Sequence, residues 1–181
     1  MNVTIQERKF SFSSEYDIFA TGSSYYARKK IFSFTDKLQL QSEDGRILAR
    51  IAGSISPLRH RHAFNLADGR SYRFWCEKLW KRVYACEGHG DLFRLYEHRG
   101  LRYSIFQGDR QIAAVVKNRL VFGNGNKYEI RMDAGADLIL VVCLVMTVNS
   151  SEEDNHNQGL TIDFGNLGPE DRRFDETWEP R

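Results

Sequence analysis

No stretch of this sequence is long and apolar enough to cross a bilayer as a helix. The most hydrophobic run, Leu138–Val148, covers roughly 16 Å at 1.5 Å per residue, about half of the ~30 Å that a hydrocarbon core demands. The start, MNVTIQERKF, has no apolar stretch of the kind a secretory leader carries, so none is expected. Cysteine is scarce. Cys76, Cys86 and Cys143 form an odd set without paired spacing, which points away from a disulfide framework and towards reduced thiols in a cytoplasmic setting. Proline is scarce too, with three in 181 residues, while twelve Phe, eight Tyr and many Val and Ile favour sheet over helical bundle. Catalytic signatures are missing: there is no Gly-x-Ser-x-Gly, no Walker loop and no His-Glu-x-x-His. Gly88-His-Gly90 and Gly123-Asn-Gly125 are too short for nucleotide fingerprints and read as turns. The expectation is a non-enzymatic protein without cofactor or metal.

What is present is an uneven charge. The net charge is only +2, but residues 151–181 hold nine acidic and three basic residues, leaving 15 acidic and 23 basic in residues 1–150. A basic body of +8 suits an anionic partner, and the −6 segment could be that partner in cis. Residues 151–181 lack periodicity and read as an acidic, flexible tail after a domain spanning 1–150.

The Leu138–Val148 run is apolar all round, so as a helix it must be buried in protein. Its β-branched residues keep a buried strand open as the competing reading, but length favours a helix near 137–149, and Asp133 or Asp137 could cap its N-terminus.

The region before it repeats. Phe10-Ser-Phe-Ser-Ser-Glu-Tyr-Asp-Ile18 aligns with Phe32-Ser-Phe-Thr-Asp-Lys-Leu-Gln-Leu40 at an offset of 22, and Tyr25-Tyr-Ala-Arg28 then falls on Ile47-Leu-Ala-Arg50. Each unit reads as strand, turn, strand. Asp44-Gly45 and Asp68-Gly69 are strong hairpin turns, with Gly108-Asp109 and Asn124-Gly125 weaker ones. Alternation places Ile47, Ala49 and Ile51 on one face, and likewise Tyr72, Phe74 and Cys76; Leu101, Tyr103 and Ile105; Ile112, Ala114 and Val116; and Tyr128, Ile130 and Met132. About twelve strands are expected, the first near Glu15–Phe19, one short strand at Leu120–Phe122 and the last at Lys127–Met132. A meander that long must close or stack, and a closed one has room for a helix inside.

Basic clusters are the candidate sites. They are Arg28-Lys29-Lys30, Arg59 to His62 with Arg61 between, Lys78-x-x-Lys81-Arg82, and Lys117-x-Arg119. Trp75 and Trp80 flank the third cluster, and Trp is favoured at membrane interfaces. Converging at one barrel rim, such cations would bind an anionic surface, each contributing about 1 kcal/mol near an acidic membrane. The competing reading is a set of scattered outward positions on a soluble barrel. His60 and His62, at i and i+2, could meet Cys76 or His89 at a metal, but the ligand spacing fits no known site and a basic loop is the simpler reading. Nucleic acid is disfavoured, because +8 spread over 150 residues is a weak footprint.

Three segments, Lys9-Phe-Ser-Phe-Ser with Tyr16-Asp-Ile-Phe19, Tyr25 through Leu38, and Ser42-Glu-Asp-Gly-Arg-Ile-Leu-Ala-Arg-Ile51, together with Tyr128-Glu-Ile-Arg-Met ahead of the apolar run, resemble the LURP-one-related family over roughly residues 5–150. That family is grouped with tubby C-terminal domains and phospholipid scramblases. The resemblance implies a mainly β fold: a closed antiparallel barrel of about twelve strands around a buried hydrophobic C-terminal helix. It also implies contact with membrane lipid, hence a cytoplasmic protein at the membrane periphery whose partner is anionic phospholipid. The alternative is a structural or regulatory protein-binding domain whose acidic tail covers its basic body. Scramblases carry an acidic calcium-binding segment ahead of the helix, whereas Gly123–Met132 offers only Glu129.

Overall fold

The computed structural model describes residues 1–10, 13–30, 36–53, 61–78, 82–119, 125–157 and 171–181. Twelve strands precede one helix: β1 (Asn2–Phe10), β2 (Ser13–Ala20), β3 (Ser23–Lys30), β4 (Asp36–Ser42), β5 (Ile47–Gly53), β6 (Arg61–Leu66), β7 (Ser71–Lys78), β8 (Val83–Gly88), β9 (Asp91–His98), β10 (Arg102–Gln107), β11 (Arg110–Arg119), β12 (Asn126–Met132) and α1 (Leu138–Asn157). Every strand pairs antiparallel with its neighbours in sequence, and β1 pairs with β12 to close the barrel. The 22-residue repeat is a hairpin: β2 and β3 shifted by 22 fall on β4 and β5.

The hairpin turns follow from the local sequence. Gly45 and Gly69 hold φ of 82° and 89°, a region that costs glycine little and other residues more. In each turn the preceding aspartate, Asp44 or Asp68, accepts from the amide and guanidinium of the arginine two residues on. These contacts hold both carboxyls below the usual range; for Asp44 its bond from the Ser42 hydroxyl comes first, and for Asp68 the Arg70 side chain does.

The expected strand count agrees, but its parts do not all coincide. Alternation predicts no strand over residues 2–10, yet they form β1, which seals the barrel. Val3 and Ile5 face inward, but the next inward residue is Glu7, so the apolar alternation stops after two positions. The expected strand at Leu120–Phe122 lies outside the described residues. The expected face Ile112, Ala114 and Val116 is also corrected. The ladder between β10 and β11 shifts register at Ile105/Phe106, so Ile105 opposes Ala113 and Tyr103 opposes Val115. A bulge inverts the alternation downstream of it. The inward residues of β11 are therefore Ala113, Val115 and Lys117, while Ala114 and Val116 face outward.

The helix occupies the interior. Every side chain from Leu140 to Asn149 is buried, against Ile5, Tyr16, Ile18, Leu40, Phe64, Phe74, Leu95, Ile105 and Ile130 from the walls. A helix apolar on all sides needs walls on all sides, which the closed sheet supplies. Full burial of one large apolar side chain stabilises by about 1.5–3 kcal/mol, so this contact dominates the fold. Of the two candidate caps, Asp137 is the one used: its Oδ1 accepts from the Leu140 amide at 3.1 Å. Its Oδ2 lies 2.6 Å from Arg70, which also reaches Asp68 at 2.7 Å and donates to the Tyr72 hydroxyl at 3.2 Å. Both carboxylates push the Arg70 guanidinium further up. The β6–β7 turn thus grips the helix entrance. Asp133 is not a cap. It is buried, and it takes Arg110 at 3.1 Å and the Arg181 amide at 2.8 Å.

The helix continues beyond the expected 149 to Asn157, as polar residues past the apolar run keep helical backbone. Within the segment expected to be a flexible tail, residues 171–181 lie along the outside of the barrel. Asp171 meets Lys78 of β7 at 2.5 Å, and the Arg172 guanidinium covers the rings of Phe106 and Tyr96 at 4.3 and 5.5 Å. Phe174 packs edge-on against His98 at 5.3 Å, with Arg102 over its face at 5.3 Å. Glu176 pairs with Arg102 at 2.5 Å, and the Arg181 carbonyl accepts from Ala134 at 2.9 Å beyond β12. We call this segment the strap.

Candidate functional site

Because strands alternate in direction, the turns β2–β3, β4–β5, β6–β7, β8–β9 and β10–β11 all fall on one rim, where the helix enters. The C-terminal ends of β1, β3, β5, β7, β9 and β11 fall on the other rim. The basic clusters sit at strand ends on this second rim: Arg28 to Lys30 end β3, Arg61 begins β6, Lys78 ends β7, Arg82 precedes β8, and Lys117 to Arg119 end β11.

Sharing a rim is not sharing a site. Arg28 points outward, 3.7 Å from Glu15, three strands away from β6. Lys29 points inward and is buried. Lys30 ends β3, but its side chain, like Arg59, Trp80 and Lys81 as a whole, lies outside the described residues. Arg82 adopts a left-handed φ of 46° and lies 2.6 Å from the buried Glu97. Lys78 is held by Asp171. Arg61 and Trp75 do come together, as register partners on β6 and β7.

They line a cleft of about 600 Å³ on the outer wall between β5 and β8. Ala52, Gly53 and Ala63 leave its floor shallow, while Arg61, Arg73, Trp75 and Glu87 rise around it, with His62 and Phe74 completing the lining. Arg73 lies 3.4 Å from Glu87, both well exposed. Among the described residues, Arg61 has no carboxylate within ion-pair distance. The lining therefore carries two guanidinium groups against one carboxylate beside an indole, an arrangement suited to an anion with an apolar neighbour. Sequence reasoning misses Arg73 and Glu87, because single charges on alternating strands read as a wet face. Only the register, which sets Ala52, Ala63, Arg73 and Glu87 in one row across four strands, reveals the cleft.

Inside the same rim lies a polar layer. Among the described side chains, the inward positions nearest this rim on β1, β3, β9, β11 and β12 are Glu7, Lys29, Glu97, Lys117 and Asn126, and all are buried. Glu7 accepts from Tyr16 at 3.2 Å, Asn126 at 2.5 Å and Asn149 of the helix at 3.5 Å. Lys117 donates to Asn149 at 3.1 Å and lies over the Tyr128 ring at 5.7 Å. Among the described side chains, this layer holds the carboxylates Glu7 and Glu97 together with the cations Lys29, Lys117 and the Arg82 that meets Glu97, as burial of charge requires. Gly125 makes the layer possible: a Cβ there would fall 2.1 Å from the Glu7 carbonyl.

His62 lies at this rim, whereas His89 sits in the β8–β9 turn at the other, where its Nε2 accepts from the Ser71 amide at 3.0 Å. These two histidines cannot share a metal. Among the described residues no cluster of His, Cys, Asp and Glu has the geometry of a metal site. Burial pushes the thiols of Cys76 and Cys86 up to about 11 and 12, which disfavours the thiolate at neutral pH.

A family model described as LURP-one-related matches residues 1–149. The chain belongs to the LURP-one-related family. The match spans the whole barrel and the buried part of the helix, and the helix-filled barrel agrees with placing the family among tubby-like folds. Comparison with curated proteins and with solved structures returned no match. Family membership accounts for the fold and is consistent with a binding role, but assigns no ligand to the cleft.

Proposed function

We propose that this LURP-one-related barrel is a non-enzymatic binding module that meets anionic phospholipid through the cleft at its second rim. The carrying observation is the pairing of Arg61, free of carboxylates among the described residues, with Trp75 in a cleft that also holds Arg73. A phosphate placed between guanidinium groups forms charge-assisted hydrogen bonds, and an indole beside it suits the interface between headgroup and acyl chain. The contact is peripheral. No described helix is long and apolar enough to span. The outward positions of β1–β5 include Gln6, Arg8, Arg28 and Arg50, all exposed, around an apolar interior, the reverse of a lipid-facing barrel. Such a role fits a cytoplasmic protein.

Co-sedimentation with vesicles tests this. Binding is expected to vesicles containing anionic lipid and not to zwitterionic ones, and to weaken with salt. Arg61→Glu should lower affinity about tenfold, since reversal costs two charges of about 1 kcal/mol each at most. Equal and negligible binding to both vesicle types at low salt overturns the proposal. The second reading, a protein-binding domain with its basic wall covered by its own acidic segment, draws on the Lys78–Asp171 and Arg102–Glu176 pairs.

A further inference from the structure

The cleft and the strap share one continuous wall. Register pairs run Arg61, Trp75, Ala85, Arg94 and Phe106 across β6 to β10 in a single row. Arg61 and Trp75 belong to the cleft at one end of the row; Phe106, at the other end, lies under the strap's Arg172. The adjacent row runs Lys78, Val83, Tyr96 and Ser104. Its first member holds Asp171, and Tyr96 contributes the second ring beneath Arg172. The strap's leading end therefore neutralises a cation three residues along β7 from the cleft's tryptophan.

The two ends of the strap are held differently. Its far end is anchored by backbone groups: the Arg181 amide on the buried Asp133 and the Arg181 carbonyl on Ala134. Its leading end is held by side chains alone: the Lys78–Asp171 ion pair, whose lysine is half exposed, and the Arg172 guanidinium, which covers Phe106 and Tyr96 and lies 3.5 Å from the exposed Asp109. Exposed ion pairs of this kind exchange readily for another anion. Asp171 itself is the more buried partner, at 16% exposure against 53% for Lys78, so the carboxylate is already seated on the wall and the lysine is the arm that can turn.

We infer that the strap is a displaceable competitor for this rim: an anionic phospholipid surface that seats on the Arg61–Trp75 cleft takes Lys78 from Asp171, and the leading end of the strap lifts from the wall while Arg181 stays anchored. The inference rests on the lipid reading of the cleft and adds its regulation. Removing the Asp171 charge should strengthen membrane binding, and the gain should depend on Lys78.

The test is a double-mutant cycle on the full chain, with Asp171→Asn, Lys78→Ala and both together. Vesicles with and without anionic phospholipid are the probe, and inorganic phosphate without lipid is the control. Asp171→Asn is expected to raise affinity for anionic vesicles about threefold, Lys78→Ala to lower it, and the gain from Asp171→Asn to vanish in the Lys78→Ala background. Hydrogen exchange on the wild type should show residues 171–174 losing protection when anionic vesicles are added, with Ala134 keeping its own. Loss of protection with phosphate alone would mean simple ion competition and overturn the role of the membrane. Wild-type binding that Asp171→Asn leaves unchanged or weakens, or a gain that persists without Lys78, overturns the strap inference and leaves the lipid reading standing. No binding by either the wild type or Asp171→Asn overturns both.

Discussion

On β1–β4 every described outward side chain keeps contact with water, from Gln6 and Arg8 to Phe19, the only large apolar side chain that is exposed among the described residues, at 50%. On β8–β11 six outward residues, Val83, Ala85, His98, Ser104, Phe106 and Ala114, are buried, while Arg94, Tyr96, Arg102 and Val116 are half-buried and Glu87 and Asn118 are exposed. Both halves enclose the same helix, and they differ in how much of their outer face meets water. The bare half alternates strictly: in β2, Ser14, Tyr16 and Ile18 are buried and Glu15 and Asp17 are not. The strapped half loses alternation and shows buried runs such as Val83 to Cys86 and Tyr103 to Phe106. A sheet wetted on one side alternates, and a sheet covered on both does not. Failure of alternation in an otherwise alternating barrel thus marks the wall that something covers.

The largest effect is expected where the halves have a common support. Leu140→Asp or Val142→Asp should abolish folding, because an unpartnered buried carboxyl costs several kcal/mol even when it neutralises and the lost apolar packing adds to that, against the roughly 5–15 kcal/mol that holds a domain together. Loss of the circular-dichroism transition and of soluble protein would check it, and a soluble folded variant would mean that the helix does not support both walls. Asp137→Ala, which removes the helix cap and a partner of Arg70, should cost about 1–2 kcal/mol in chemical denaturation. Phe174→Ala removes the ring between His98 and Arg102 and should cost about 1–2 kcal/mol. Its loss of hydrogen-exchange protection should fall on β9 and β10 and spare β2 and β3. The matching change on the bare wall, Arg28→Ala, should stay within about 0.5 kcal/mol, since Arg28 is exposed and lies 3.7 Å from its partner Glu15. A comparable cost for both would erase the distinction between the walls.

The smallest expected effect separates the walls by pH. On the strap, the Thr177 hydroxyl and amide hold the Asp175 carboxyl below its ordinary value. A depressed carboxyl contributes stability above the unfolded pKa of about 3.9 and loses it as pH falls through the folded value. On the bare wall, burial and then a hydrogen bond to Glu15 raise the Tyr26 phenol to about 12. A raised phenol contributes stability fully below the unfolded pKa of about 10 and loses it as pH rises towards 12. Strap protection should therefore fall first in acid and β2–β3 protection first in alkali. Hydrogen exchange at both extremes, corrected for intrinsic rates, would show it.

Much of the architecture is legible in the sequence because its signals are local. The Asp-Gly turns, the 22-residue hairpin repeat and the solid apolar run each follow from a few adjacent residues. β1 is not legible, since Glu7 occupies an inward position and satisfies it with Tyr16, Asn126 and Asn149, partners up to 142 residues away. Alternation assigns the wrong face to β11 because a bulge leaves no trace in a run of Ile, Ala, Ala, Val and Val. Of the candidate cations, Lys29 reads as surface and is interior, and Arg28 faces solvent far from Arg61. Periodicity says which residues share a face but does not say which strands adjoin.

The sequence alone determined that this chain is a long antiparallel meander with one buried apolar segment, because turn chemistry and hydrophobic patterning act within a few residues. Tertiary structure decided the rest. Closure through β1 made a polar layer of side chains that look misplaced on their own strands. Register put Arg61 beside Trp75 and left Arg28 elsewhere. The packing of residues 171–181 gave one wall a cover and Lys78 a carboxylate. These are contacts between groups distant in the chain, and their free energy exists only once the barrel has brought them together.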